Sequence, residues 1–268
     1  MAQAPVKQTK KGFDYSILVV PIALVMGIIT WKYFGNYVDA KGEPLKAADG
    51  SQNLLGLIYK GGFIVPILIG MLITVIAYSI ERFLTINKAK GTGSIESFLQ
   101  NIKTKLASND INGALADCAK QKGSVANVVQ AGLHTYQEMD KNTELEGEKK
   151  VLAIQKEIEE ATSLELPMLQ KNLVFLSTIA SVGTLVALLG TVIGMIKSFA
   201  ALATTGSPDP TKLSAGISEA LVNTAIGIAT SATAIILYNI FTSQIDTLTY
   251  AIDEIGFSIA QSFASRKK

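Results

Sequence analysis

Four stretches of the chain are nearly free of charge, and the charged residues crowd between them. They cover residues 15–34, 61–81, 172–197 and 213–245. A segment crossing the hydrocarbon core of a bilayer needs about 20 mostly apolar residues, and each stretch meets that length. A lone stretch satisfies its backbone hydrogen bonds in lipid only as a helix, so the pattern predicts four transmembrane helices. Pro21 and Pro66 fall inside the first two and are expected to kink them. Lys32 interrupts the first stretch near its end, and Glu219 is the one charge in the middle of the fourth.

The parts between also read as helices. Residues 82–171 are too many for a loop without structure. Asp110 is placed to cap a helix in which Leu115, Cys118 and Ala119 share a face. Further on, Val151, Ile154, Ile158 and Ala161 recur at helical steps. Only Pro167 interrupts the run into the third span, so the pattern predicts one kinked helix continuing into residues 172–197. The fourth span likewise continues into 246–268, where Ile245, Leu248, Ile252, Ile255 and Ile259 recur at heptad spacing. This seam needs partner helices, supplied either within the chain or by other copies of it. Arg266, Lys267 and Lys268 stand at the end that the helix dipole favours for cations. Residues 35–60, with Gly42, Pro44 and Gly50, read as a loop, and 198–212 hold a turn at Gly206-Ser-Pro-Asp-Pro210. The fold class is therefore all-α, a membrane protein with four spans, the last two long and extending into a helical cytoplasmic region.

Composition sharpens this. Of 268 residues, 17% are charged, against about a quarter in soluble domains. The net charge of +2 leaves no basic excess to neutralise nucleic-acid phosphates. One cysteine, Cys118, excludes an internal disulfide, and one histidine, His134, excludes a multi-histidine metal site. No phosphate-binding glycine loop, HExxH pattern or nucleophile–base spacing is present, which argues against an enzyme and calls for no cofactor or metal. Lys7, Lys10 and Lys11 make residues 1–14 a basic tail. A basic start before an apolar run also suits a cleaved signal peptide. This run, however, ends in Trp31, Lys32, Tyr33 and Phe34 instead of small residues, and reads as a retained anchor. Four spans put both termini on one side, and the basic tail makes that side cytoplasmic. Residues 35–60 and 198–212 then face outward.

Glu219 is the strongest chemical feature. A carboxylate inside a membrane helix costs at least about 2.5 kcal/mol and usually faces a bundle interior or a water cavity. From a helix start at Pro210 it lies about 14 Å along the axis. The alternative is a protonated or snorkelling glutamate near a helix end. Glu219, Asn223, Gly227 and Thr230 form one stripe, and Ala220, Thr224, Gly227 and Ser231 the next. The third span carries Gly183, Ala187, Gly190, Thr191, Gly194 and Ser198. Small and hydroxyl residues in lipid mark close helix packing or a hydrated path. Packing of the two stripes would bring Thr191 and Thr224 beside each other and beside Glu219, with Asn223 as the expected hydrogen-bond partner of the carboxylate.

These residues carry a resemblance. Leu188-Leu-Gly-Thr-Val-Ile-Gly194, followed by Gly216-Ile-Ser-Glu-Ala-Leu-Val-Asn-Thr-Ala-Ile-Gly227 and Tyr238-Asn239, resembles the signature helices of the MotA/TolQ/ExbB proton-channel family, with the strongest likeness to its ExbB type. Gly61-Gly-Phe-Ile-Val-Pro66 leading to Glu81-Arg82 is similar to the family's first helix, and Ser124-Val-Ala and Ala131-Gly-Leu133 to its cytoplasmic segment. Thr184, Ala187 and Thr233 stand where ExbB-type sequences often have Pro, Gly and Pro. Residues 15–34 are an addition to the usual three spans, and are expected to pack at the periphery.

The resemblance implies a homo-oligomer, a pentamer, around a dimer of a single-span ExbD-like partner in the lumen. It implies an inner-membrane proton-driven motor that works through a TonB-like protein on outer-membrane import. A TolQ-like role in envelope maintenance is the alternative of the same class, and a non-conducting membrane scaffold the alternative of another. On this reading Thr191, Glu219, Asn223 and Thr224 belong to the ion path, the protonatable aspartate sits on the partner, and Gly183, Gly190, Gly194 and Gly227 pack the helices.

Overall fold

The computed structural model describes residues 16–40, 43–46, 53–204 and 210–266. The basic tail 1–14, Gly42, Gly50, the 206–209 part of the turn, Lys267 and Lys268 lie outside the described residues. Nine α-helices and no strand ladder occur among the described residues: α1 (Ser16–Phe34), α2 (Leu54–Tyr59), α3 (Ile64–Lys90), α4 (Ile95–Ala107), α5 (Ile111–Gln121), α6 (Gly123–Lys141), α7 (Gly147–Gln170), α8 (Leu173–Thr204) and α9 (Pro210–Arg266). Helices α1, α3, α8 and α9 are long and apolar enough to cross a membrane. The protein is an all-α membrane protein.

The chain divides into two compact units. The first contains Met1–Tyr78 and Phe175–Ile236. Its core forms where Ile64 and Leu68 of α3 meet Ala187 of α8, with Ile193 and Ile226 packed around them. Tyr78 stacks on Phe175 at 4.8 Å. Helix α1 docks on α3 through small residues: a Cβ on Gly27 would meet the Gly70 nitrogen at 2.7 Å, and Ala23 beside it is buried. Most of the remaining α1 surface is exposed apolar side chain, as lipid permits. Trp31 stacks on Tyr59 at 4.7 Å and donates its ring N–H to the Tyr59 carbonyl. Pro66 does not kink the second span. The helix begins at Ile64, so Pro66 sits in the first turn, where its missing N–H has no intrahelical acceptor to lose.

The second unit contains Ser79–Val174 and Leu237–Lys268. The seam of α9 is covered within the chain: Ile245, Leu248, Ile252, Ile255 and Ile259 are all buried. Ile259 approaches Gly132 of α6, Lys103 pairs with Glu254 at 2.6 Å, and the Arg266 guanidinium donates to the Tyr136 hydroxyl at 3.0 Å. On α7, Ile154 and Ile158 are buried as the spacing predicts. Asp110 caps α5, accepting from the Gly113 N–H at 2.8 Å. The buried face of α5 is rotated from the predicted one, however: Ile111, Ala114 and Cys118 point inward, while Ala119 is exposed. Ile111 comes directly after the cap and outweighs Ala119 as apolar area to bury.

One expectation fails at the end of α7. Helices α7 and α8 are not one kinked helix. Pro167 lies inside α7, and the chain breaks at Lys171 and Asn172, the latter at φ 65°. Asparagine is among the few residues that enter this left-handed region at low cost. Arg82, 1% exposed, anchors the break by donating to the carbonyls of Met168 (3.0 Å) and Leu169 (3.1 Å). These belong to the last turn of a helix, where carbonyls lack intrahelical partners. Glu81 in turn holds the Arg82 guanidinium and accepts from the Asn172 side chain at 3.2 Å.

Candidate functional site

Within the first unit, α8 and α9 meet along their small residues. Gly183, Ala187, Gly190, Gly194 and Ser198 are buried on α8, and Gly216, Ala220, Asn223, Gly227 and Thr230 on α9. The backbones approach closely enough that a Cβ on Gly194 would meet the Gly216 carbonyl at 3.0 Å and Ala220 at 3.1 Å. A Cβ on Gly227 would collide with Ala187, and one on Gly183 would meet the Ser231 hydroxyl at 2.7 Å. Ser198 donates to the Gly194 carbonyl at 3.1 Å. The register is that of an antiparallel hairpin. Residues equally far along the chain from the connecting segment face each other: 183 and 231, 187 and 227, 194 and 220.

That register joins the two threonines. The hydroxyls of Thr191 and Thr224 are 2.5 Å apart. Thr191 also lies 3.1 Å from the Ala187 carbonyl, and Thr224 3.2 Å from that of Ala220. Each hydroxyl has one proton to donate. One threonine therefore donates to the other while the second donates to its own helix, and the roles can exchange. Higher on the hairpin Thr184 donates to the Ser231 hydroxyl at 2.9 Å, and Thr233 donates to the Ala229 carbonyl at 2.8 Å. The hydroxyl at Thr233 is thus bonded to helix backbone, a contact known to bend helices, while that at Thr184 ties α8 to α9.

Glu219 stands apart from what the stripe suggested. Its carboxylate accepts from the Lys197 ammonium at 2.8 Å, not from Asn223. The Glu219 side chain is 14% exposed and the Lys197 side chain 51%. The carboxylate also lies against Gly62, whose φ of +78° and missing Cβ make the room: a side chain there would strike Glu219. Asn223 is fully buried against Gly190, and neither its amide nitrogen nor its oxygen has a partner among the described residues; the Thr230 hydroxyl is in the same position. An unpaired buried polar group costs about 1–3 kcal/mol.

Sequence reasoning passed over Lys197, which it took only as the end of the third span, and Gly62. The signal for Lys197 was in the hairpin register, which faces Glu219 with residue 195, two positions from Lys197. Cys118 is buried in the second unit, where burial, and then the charge of Asp117, push its thiol up to about 12. His134 is exposed beside Gln130.

The chain is similar in sequence to several known proteins. A biopolymer transport protein of the ExbB-like type from Synechocystis is 36% identical over 88 residues, covering 32% of this chain and 42% of that protein. The Tol-Pal system protein TolQ of Pseudomonas aeruginosa is 31% identical over 124 residues, 46% of this chain and 54% of the relative. Biopolymer transport protein ExbB of Salmonella typhimurium is 34% identical over 85 residues, 32% and 35% respectively. The chain thus spans about half or less of the length of these relatives. The model of the MotA/TolQ/ExbB proton channel family matches residues 120–254, half of the chain, including α8 and the α9 stretch that carries Glu219, Asn223 and Thr224. The chain therefore belongs to the MotA/TolQ/ExbB proton channel family.

Proposed function

We propose that this protein is an ExbB-type subunit of a proton-driven motor in the bacterial inner membrane, with both termini cytoplasmic. It assembles as a homo-oligomer, a pentamer, around a dimer of an ExbD-like single-span protein, and passes work to a TonB-like protein for outer-membrane import. Thr191, Glu219, Asn223 and Thr224 belong to its ion path. Gly183, Gly190, Gly194 and Gly227 set the close approach of α8 and α9.

The observation that carries this reading is the contact between Thr191 and Thr224. Two hydroxyls that can exchange donor and acceptor roles give a proton or a hydrated cation a polar foothold in an apolar wall. The unpartnered amide of Asn223 supports it. A group arriving from another helix or a second chain offsets a burial cost that the subunit alone leaves standing. A passive scaffold gains nothing from Glu219 in a span.

The test is co-expression with a neighbouring ExbD-like single-span protein, followed by purification and mass measurement. A complex with several copies of this chain per partner dimer is expected. A monomer that binds no single-span partner counts decisively against the reading. The length of the match to TolQ favours a second reading, an envelope-maintenance motor of the same class. Co-purification from cells holding both sets of partners separates the two: an ExbD- and TonB-like pair supports the first, Tol-system partners the second.

A further inference from the structure

Within the first unit, two side chains on one stripe of α9 are fully buried with polar atoms that meet no partner among the described residues: the amide nitrogen and oxygen of Asn223, and the hydroxyl of Thr230. We propose that the contact between α8 and α9 holds internal water, one molecule on the Asn223 carboxamide and another on the Thr230 hydroxyl.

The Asn223 side chain faces α8. A Cβ on Gly190 would come within 2.9 Å of its Cβ, Cγ and Nδ2, so the carboxamide lies against the glycine. Thr230 departs from four other threonines of its helix. The hydroxyls of Thr224, Thr233, Thr247 and Thr249 each lie 2.8 to 3.2 Å from the carbonyl four residues earlier. A helical threonine ordinarily satisfies itself in this way. Thr230 does not, and it is buried all the same.

The free atoms select the ligand. A carboxamide offers donors and an acceptor, and a hydroxyl offers both in one group. A cation would engage the oxygens and leave the amide N–H groups unpaired, while an anion would engage only the N–H groups. Water serves both at once, and buried water characteristically bonds polar groups that are otherwise unsatisfied. Lipid offers the carboxamide nothing in its place. In the subunit by itself, water takes the position that a group from another helix would fill on assembly.

Two molecules are needed. Asn223 and Thr230 stand about 10 Å apart along the axis. Between them Gly227 closes on Ala187, where a Cβ would collide. At the level of Thr230 there is room: beyond the Ser231 hydroxyl, the next atoms from a Cβ on Gly183 are 3.9 Å away. That hydroxyl accepts from Thr184, leaving its own proton for another acceptor. At the level of Asn223, the way in is the ion pair of Glu219 with the half-exposed Lys197, about one helical turn away.

The test uses the full-length chain, expressed without a single-span partner, labelled with isotopic asparagine and reconstituted in bilayers. Water-edited solid-state NMR then follows magnetisation from water protons to the side-chain amides, the Asn223 signal being the one absent from Asn223→Ala. Its build-up should match that of the exposed Asn101. No transfer from water to the Asn223 amide overturns the first site. For the second, Thr230→Val keeps the shape and removes the hydroxyl. A water that loses this partner should lower the thermal midpoint by about 2 °C. An unchanged or raised midpoint is what removal of a dry, unpaired hydroxyl gives, and it overturns the second site. Neither measurement reads ion flux, so failure here leaves the proposed function standing, and failure of that function leaves the water in place.

Discussion

Lys197 of α8 and Glu219 of α9 form an ion pair at 2.8 Å, which couples the charge of the fourth span to a cation on the third. The carboxylate is the more buried partner, and the half-exposed ammonium reaches it from about two turns before the end of α8. Lys197→Met should therefore destabilise the protein more than Lys197→Met with Glu219→Gln, because the single change strands a charge. For a pair this exposed the coupling is on the order of 1 kcal/mol. A double-mutant cycle on thermal unfolding in detergent reads it, and additive effects would show that the pair contributes no coupling.

Glu219 itself separates charge from packing. Glu219→Gln keeps shape and hydrogen bonding, and Glu219→Ala removes the group facing Gly62 and Lys197. Both variants are expected to lose energised transport, with oligomer and partner binding intact in the Gln form. Transport by the Gln variant with failure of the Ala variant would assign the residue to packing. Full activity of the Ala variant would leave it no role.

Thr191 and Thr224 are near enough for a covalent link. Cysteines at both positions should form a disulfide within one subunit under mild oxidation, seen as a mobility shift reversed by reductant. Thr191→Val and Thr224→Val keep the volume and remove the hydroxyl exchange, so each should cut ion flux at least tenfold while the oligomer persists. Reaction of these cysteines with lipid-soluble reagents in place of each other would contradict the hairpin register.

Arg82 should be costly to replace. Arg82→Met leaves the Met168 and Leu169 carbonyls without their side-chain donor and the Glu81 carboxylate without its cation, a loss of about 3 kcal/mol for a buried, hydrogen-bonded charge. Arg82→Lys should recover only part of it, since a point charge cannot serve several acceptors in the guanidinium geometry. Denaturant midpoints in one detergent check both.

Cys118 should be inert while the protein is folded. Its thiol is pushed up to about 12, first by burial and then by Asp117, so the thiolate needed for alkylation is scarce at pH 7–9. The unfolded thiol ionises near 8.5, so the unfolded state binds fewer protons above that pH. Stability therefore falls as pH rises from about 9 toward 12, and Cys118→Ser should flatten that decline. Rapid labelling of the folded protein at pH 8 would contradict the burial.

The spans were legible from the chain because hydropathy acts locally: about 20 apolar residues in lipid have no option but a helix. The glycine and hydroxyl stripes were legible for the same reason, since a 3.6-residue period places 183, 187, 190 and 194 on one face whatever they meet. Asp110 as a cap and the apolar seam of α9 are likewise local patterns. Tertiary structure decided what those faces touch. Lys197, not Asn223, became the partner of Glu219, because partnership across a hairpin depends on axial register between helices, which no periodicity within one helix encodes. The α9 seam found its cover inside the chain, although the same heptads would serve a bundle of copies equally well. Pro66 opened a helix instead of kinking it, and the break after α7 fell at Asn172 instead of Pro167. A backbone stops where its orphaned carbonyls find a donor, and that donor was Arg82, 86 residues earlier in the sequence.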